Sequence, residues 1–229
     1  MGVDNLLHFA ENELQIGALI FMAVVYGLKI RWILSFPAGR DRQAPARYPG
    51  RSAAKGARLS LLQIAMPWAM GSTRQHPLLY AQFAVFHIAV AGSIAMSFLI
   101  PYAPGTIARR PAAIALQVTF AAAVLIGIAR LIRRLRDPYM RTISTPDDYF
   151  SLALLIVWFG FSFLAAPNHP HPREWPLLAY FFLTAFFLVY VPFSKISHYL
   201  YYPFARWYLG KTLGYRGVYP LRKGVETHP

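Results

Sequence analysis

Residues 78–102, LLYAQFAVFHIAVAGSIAMSFLIPY, run without a single Asp, Glu, Lys or Arg. A hydrocarbon core about 30 Å thick takes roughly 20 consecutive apolar residues in a helix. This stretch therefore reads as a membrane span. Four other stretches are long and apolar enough to do the same: 14–36, 111–132, 149–166 and 175–202. None contains Asp or Glu, and all nine acids fall at span ends or in connections. The expected fold is all-α, a single membrane domain of five transmembrane helices, with an inner loop over 37–77 and a tail over 203–229.

The composition agrees. In 229 residues, 56% are hydrophobic and 14% charged, with a mean hydropathy of +0.37. A soluble domain carries about a quarter charged residues. Aromatics at 16% suit interfacial belts. The 23 Lys and Arg against 9 acids give a net charge of +14. This hydropathy excludes a nucleic-acid binder, so the charge reads as positive-inside loops facing anionic lipid headgroups. With no cysteine, the chain itself holds no disulfide, covalent c-type haem, iron–sulfur cluster or thiolate zinc site.

The basic residues set the direction. Twenty gather on one side: Lys29 and Arg31 at the end of the first span, seven within 37–77, five within 130–141 and six within 195–223. Only Arg109, Arg110 and Arg173 lie on the other. That bias puts the N-terminus outside and the C-terminus in the cytoplasm. The first stretch reads as a retained span, because Glu11 and Glu13 precede it where a leader would be basic. The inner loop opens as a Pro/Gly/Arg-rich irregular stretch over 37–56. It continues over 59–70 as a helix too short to span, lying in the interface or beneath a partner. The tail over 209–223 is basic and aromatic, and reads equally as a docking surface or as a solvated end.

Histidine is the residue left for chemistry inside the membrane. His8, His169, His171 and His228 lie outside the spans and His76 at the lip of the second; His87 and His198 are embedded. An imidazole in a span is a functional hypothesis by default. Ala84, Ala91 and Gly92 stand at i−3, i+4 and i+5 from His87. They clear room for something flat and wide such as a porphyrin, although small residues also line ordinary helix contacts. His87 is about nine residues into its helix, roughly 14 Å. His198 lies roughly 6–12 Å from the inner end of the fifth. Those depths suit two axial ligands of one b-type haem in the inner half of the bilayer. A structural histidine pair bonded to carbonyls is the other reading of the same spacing.

Two short runs resemble a known family. Residues 86–92, FHIAVAG, are similar to the FHxGxxG run in the second helix of the gamma subunit of respiratory nitrate reductase, a membrane cytochrome b. Ala89 takes the place of the first glycine. Residues 192–198, PFSKISH, resemble the PFSRLVH ending of that family's fifth helix. The wider family includes membrane subunits of heterodisulfide reductase and of the dissimilatory sulfite reductase complex. There, four histidines hold two stacked haems. The resemblance carries two of them onto His87 and His198, as axial ligands of the haem nearer the cytoplasm. Ala84, Ala91, Gly92 and Ser194 complete the candidate cofactor-binding set. The other pair falls on Ser97 and Tyr180, neither an imidazole. Tyr180 would face the same way as His198 in one unbroken helix, and a tyrosinate can hold iron, but Ser97 could not complete the pair. The resemblance therefore implies one haem b, with His76, His169, His171, Met96 and Tyr180 outside the ligand set.

It also implies a function. Such a subunit passes electrons between membrane quinone and an iron–sulfur partner, in the cytoplasmic membrane of a bacterium or archaeon. Without cysteine the clusters must belong to that partner, docked with its catalytic subunit on the cytoplasmic side. Around His198, Ser194, Lys195, Tyr201 and Tyr202 stand at i−4, i−3, i+3 and i+4 and, with Lys29, form a candidate quinone site. Interfacial anchoring and snorkelling account for the same lysines and tyrosines. Asp147 and Asp148 read as helix caps and as groups for proton exchange. No catalytic residue is assigned. A haem-free membrane scaffold or assembly subunit stands as the alternative. A ferric-reductase-like cytochrome would carry paired histidines on single helices, and no span has two; a small-solute transporter would show an inverted repeat, and none is visible.

Overall fold

The computed structural model describes residues 3–37, 39, 52–167 and 174–217, and no strand occurs among them. The helices are α1 (Val3–Glu11), α2 (Glu13–Ser35), α3 (Ala53–Leu62), α4 (Gly71–Gln75), α5 (Pro77–Tyr102), α6 (Pro104–Ile107), α7 (Arg110–Arg136), α8 (Pro138–Ile143), α9 (Pro146–Ala165), α10 (Glu174–Tyr190) and α11 (His198–Arg216). Five helical runs are long and apolar enough to cross a membrane: Asn5–Ser35, Pro77–Tyr102, Arg110–Arg136, Pro146–Ala165 and Glu174–Phe193. They fall on the five expected stretches and are compatible with a multi-pass membrane protein.

The first run begins earlier than expected. The Asn12 N–H donates to the His8 carbonyl at 3.1 Å, and its carbonyl accepts from Ile16 at 2.9 Å, so α1 and α2 are joined by helical hydrogen bonds. The stretch expected as one fifth span, 175–202, is divided. α10 stops at Tyr190, single 3-10 turns cover Val191–Phe193 and Lys195–Ser197, and α11 opens at His198. Pro192 has no N–H to donate, and its ring crowds the carbonyl four residues back. Tyr180 and His198 are therefore on different helices, and the shared face inferred for them does not exist. The helix expected over 59–70 instead occupies Ala53–Leu62 and gives way to short turns before Pro67. Most of the irregular stretch, and the tail beyond Gly217, lie outside the described residues.

Packing groups the chain into two compact units: Met1–Leu28 with Leu78–Ile196, and Lys29–Pro77 with Ser197–Pro229. In the first, α9 packs against α7 and α10, and α10 against α1. Gly127 lets α7 approach α9 closely: a Cβ there would stand 2.6 Å from Ile156 Cγ1. A buried polar chain then ties the spans together. The Ser93 hydroxyl donates to Ser162 Oγ at 2.9 Å, and Ser162 donates to the Trp158 carbonyl at 2.8 Å. Trp158 Nε1 donates to Thr184 Oγ1 at 2.9 Å, and Thr184 donates to the Tyr180 carbonyl at 2.7 Å. Tyr180, fully buried, closes the ring by donating its hydroxyl to the Ser93 carbonyl at 2.5 Å. Gln15 adds the first span through its Nε2, which donates to the carbonyl of Phe181 at 2.8 Å.

In the second unit α3 and α11 form an antiparallel pair over a seam of small residues. Gly56, Ala57 and Ser60 on α3 face Gly210 and Gly214 on α11, all buried. The backbones meet so closely that a Cβ on Gly56 would stand 2.3 Å from the Gly210 carbonyl oxygen, and one on Gly214 would stand 2.5 Å from that of Ser52. Arg206 finishes the C-terminal end of α3, donating from Nε to the Ser60 carbonyl at 3.1 Å and from Nη2 to Gln63. A guanidinium there suits the negative end of the helix dipole.

Candidate functional site

His87 stands in the first unit, on α5, and is exposed. At about 100° per residue, the buried positions Phe86, Ala89, Ser93, Met96 and Ile100 line the opposite side of the helix. The polar imidazole thus sits on the outward stripe of an apolar span. Its Nδ1 is 2.8 Å from the carbonyl oxygen of Phe83, one turn back. A carbonyl only accepts, so Nδ1 carries the hydrogen, and in the neutral ring Nε2 carries the lone pair. The Phe83 ring, 4.1 Å away between centroids, packs beside the imidazole. Histidine ligands of metals are commonly oriented by this kind of outer hydrogen bond.

The expected neighbours separate into two groups. Ala84 and Ala91 lie within about 60° of His87 around the helix and share its face. Gly92 is turned about 140° away and meets the third span, where an added Cβ would touch Leu116 and Phe120 at 3.4–3.6 Å. Phe86, on the inner side, packs edge-on against Phe159 at 5.0 Å and lies under the Arg130 guanidinium at 5.6 Å.

His198 belongs to the second unit as the first residue of α11, and it too is exposed. Tyr201 and Tyr202 follow on the same helix at i+3 and i+4. Ser194 and Lys195 do not share that helix: they belong to the break before it, in the first unit. There Ser194 donates to the Val191 carbonyl at 3.1 Å and accepts from the Ile196 N–H at 3.2 Å. Lys195 is held twice, its backbone N–H by Asp147 Oδ2 at 2.9 Å and its Nζ by Asp148 Oδ2 at 2.6 Å. Asp147 also accepts from Tyr190 and from Ser151, and Asp148 from the Thr145 N–H at 2.7 Å as the return half of a capping box. Asp148 therefore caps α9, as expected, and both carboxylates latch the broken end of the fifth span. This second role has no signal in the sequence, because the partners are more than 45 positions apart. With Asp147→Ala we expect faster amide exchange over residues 191–197 and no change in the buried parts of α9, read by hydrogen–deuterium exchange.

Of the remaining candidates, Met96 is fully buried on the inward face of α5, while Lys29 is half-buried on α2. His76 ends the short helix α4. His169 and His171 lie outside the described residues. Tyr180 spends its hydroxyl on Ser93 and its ring on the core. Tyr180→Phe is expected to cost about 1 kcal/mol, since the Ser93 carbonyl keeps its place in the α5 ladder; reversible unfolding in mixed micelles reads it. Among the described residues no three of His, Asp and Glu form a group that could hold a metal ion. Two axial imidazoles are a different requirement.

No family model matches the chain. No solved structure matches it. A curated protein of Nitratidesulfovibrio vulgaris (Hildenborough), named only "Protein", is 28% identical over 186 residues, covering 76% of this chain and 75% of the relative.

Proposed function

We propose that the chain is a haem b-carrying membrane anchor and electron-transfer subunit of a respiratory oxidoreductase complex. It would lie in the cytoplasmic membrane of a bacterium or archaeon, N-terminus outside and C-terminus in the cytoplasm. The observation that carries the reading is the Nδ1 bond of His87 to the Phe83 carbonyl on the outward stripe of an apolar span. It orients the ring and puts the hydrogen on Nδ1, so Nε2 is the nitrogen that would hold iron. In this proposal His87 and His198 would together hold the haem iron. The small side chains of Ala84 and Ala91 leave space on the His87 face, and Tyr180 is committed to the core, which favours one haem over two.

A bound haem b supplies one-electron redox chemistry, at a potential tuned by its axial ligands and their outer hydrogen bonds. The chain's own contribution is to orient His87 through Phe83 and to exclude water by the apolar surface of the spans. Quinone would meet the chain beside Tyr201 and Tyr202. Lys29 is a weaker candidate partner for it, and Lys195, ion-paired with Asp148, serves the latch. The iron–sulfur and catalytic subunits belong to the proposal because this chain has no cysteine for clusters.

Haem content by pyridine haemochrome tests the assigned face. Ala91→Leu, beside His87, should lower haem per chain. Gly92→Ala, whose Cβ meets Leu116 and Phe120 at ordinary contact distances, should leave it unchanged. Full haem in Ala91→Leu would place the group elsewhere.

A further inference from the structure

The second unit carries a surface that the proposed electron transfer does not use. After Pro203, α11 presents one side to the seam through Gly210 and Gly214. On one flank away from it stand Phe204, Trp207, Tyr208, Lys211 and Tyr215, spaced i, i+3, i+4, i+7 and i+11, the repeat of a single helical stripe. Trp207 is 49% exposed, Tyr208 47% and Tyr215 44%, and Lys211 is exposed among them. Trp207 and Tyr215 leave about half of their surface open beside one cation, while the Tyr208 hydroxyl donates to the Gly39 carbonyl at 3.4 Å. Among the described residues of this unit there are eight Lys and Arg and no Asp or Glu.

We infer that this stripe of α11 is an anionic-lipid-binding surface, with the rings of Trp207 and Tyr215 in the headgroup layer and Lys211 on a lipid phosphate. Three arguments select a lipid. Trp and Tyr have an apolar body and a polar edge, which is why they concentrate at membrane interfaces. Among the described residues of the unit the charge is of one sign, and anionic leaflets attract juxtamembrane cations by about fivefold in affinity per Lys or Arg. The third argument is continuity of the chain. The fifth span ends at Phe193, and Ser194 and the 3-10 turn Lys195–Ser197 alone separate it from α11. Four residues are too few to carry the start of α11 far from the end of the span, which makes α11 a juxtamembrane helix. Lys211 can lay its methylene stem along the neighbouring rings and lift its ammonium to the phosphates.

The test uses the full chain in nanodiscs and does not depend on haem. Trp207 emission, taken as the difference between the wild type and Trp207→Phe, is quenched with brominated phosphatidylglycerol or brominated phosphatidylcholine at the same mole fraction. We expect quenching by both lipids and a preference for phosphatidylglycerol of about fivefold in effective affinity. Lys211→Glu and the milder Lys211→Gln should abolish the preference. Arg136→Glu, a charge reversal outside the α3–α11 pair, should keep it. Equal quenching by the two lipids would overturn the inference, as would an unchanged preference in both Lys211 variants. Absence of quenching by either lipid would also overturn it, leaving the stripe in water or under a protein partner.

Discussion

Gly210→Leu is expected to separate α3 from α11 and to lower the stability of that unit by about 3 kcal/mol or more. Overpacking a tight core commonly costs about 1–3 kcal/mol, and the upper end applies where nothing can move aside. Here a Cβ at residue 210 would stand 2.5 Å from the Gly56 carbonyl oxygen, 2.5 Å from Ser60 Cβ and 2.9 Å from Ala57 Cα. The obstacles are largely backbone, and the chain has no rotamer with which to answer. Opening the seam also removes the Arg206 bonds to Ser60 and Gln63. Even Gly210→Ala should destabilise, although alanine in a helix is otherwise favoured over glycine by about 1 kcal/mol. Gly17→Ala supplies the contrast, since nothing lies within 4 Å of a Cβ there. It should be neutral or stabilising by up to about 1 kcal/mol. Proteolysis within residues 53–62, followed through a denaturant series, separates the two outcomes.

The second large effect is loss of haem from His87→Ala with the fold retained. His87 lies outside the packed side of α5, so truncation leaves no cavity in the core. The Phe83 carbonyl that accepts from Nδ1 keeps its place in the backbone ladder, so no buried acceptor is stranded. Loss of the cofactor band in this variant would thus report a lost ligand. His198→Ala, at the exposed start of α11, should behave the same way, and either single change should remove the band because low-spin haem needs both axial donors.

The spans were legible because length and absence of charge decide them without reference to any neighbour. The fourth begins earlier than its apolar run, because Asp147 and Asp148 stand in its first turn and also latch the end of the fifth span. The expected fifth span ran past Phe193 to residue 202 because residues 196–202 include Ile196, Tyr199, Leu200, Tyr201 and Tyr202, although Pro192 signals the break in the helix. Ala84 and Ala91 could be read as neighbours of His87 because they recur at helical spacing, but the exposure of that face had no signal in the sequence. Gly92 was drawn into the same set by proximity in sequence, while the helix turns it toward Phe120. Ser194 and Lys195 were misplaced for the same reason as the fifth span: their spacing from His198 has meaning only in a continuous helix. The seam between α3 and α11 had a readable signature, the small residues Gly210 and Gly214 four apart, facing Gly56 and Ser60 at the same spacing. It passed unseen because both stretches read as loop and tail. The ring from Ser93 through Ser162, Trp158 and Thr184 to Tyr180 had none, since nothing local pairs a hydroxyl with a carbonyl 87 positions away.

A reduced-minus-oxidised optical spectrum of the purified chain, with haem quantified as the pyridine haemochrome, decides whether the chain holds haem and through which residues. The account predicts a b-type α-band at about one haem per chain, absent from both His87→Ala and His198→Ala while their helical circular dichroism is unchanged. No band from cells supplied with haem would contradict it and leave a membrane scaffold. A band that survives either substitution would contradict the ligand assignment.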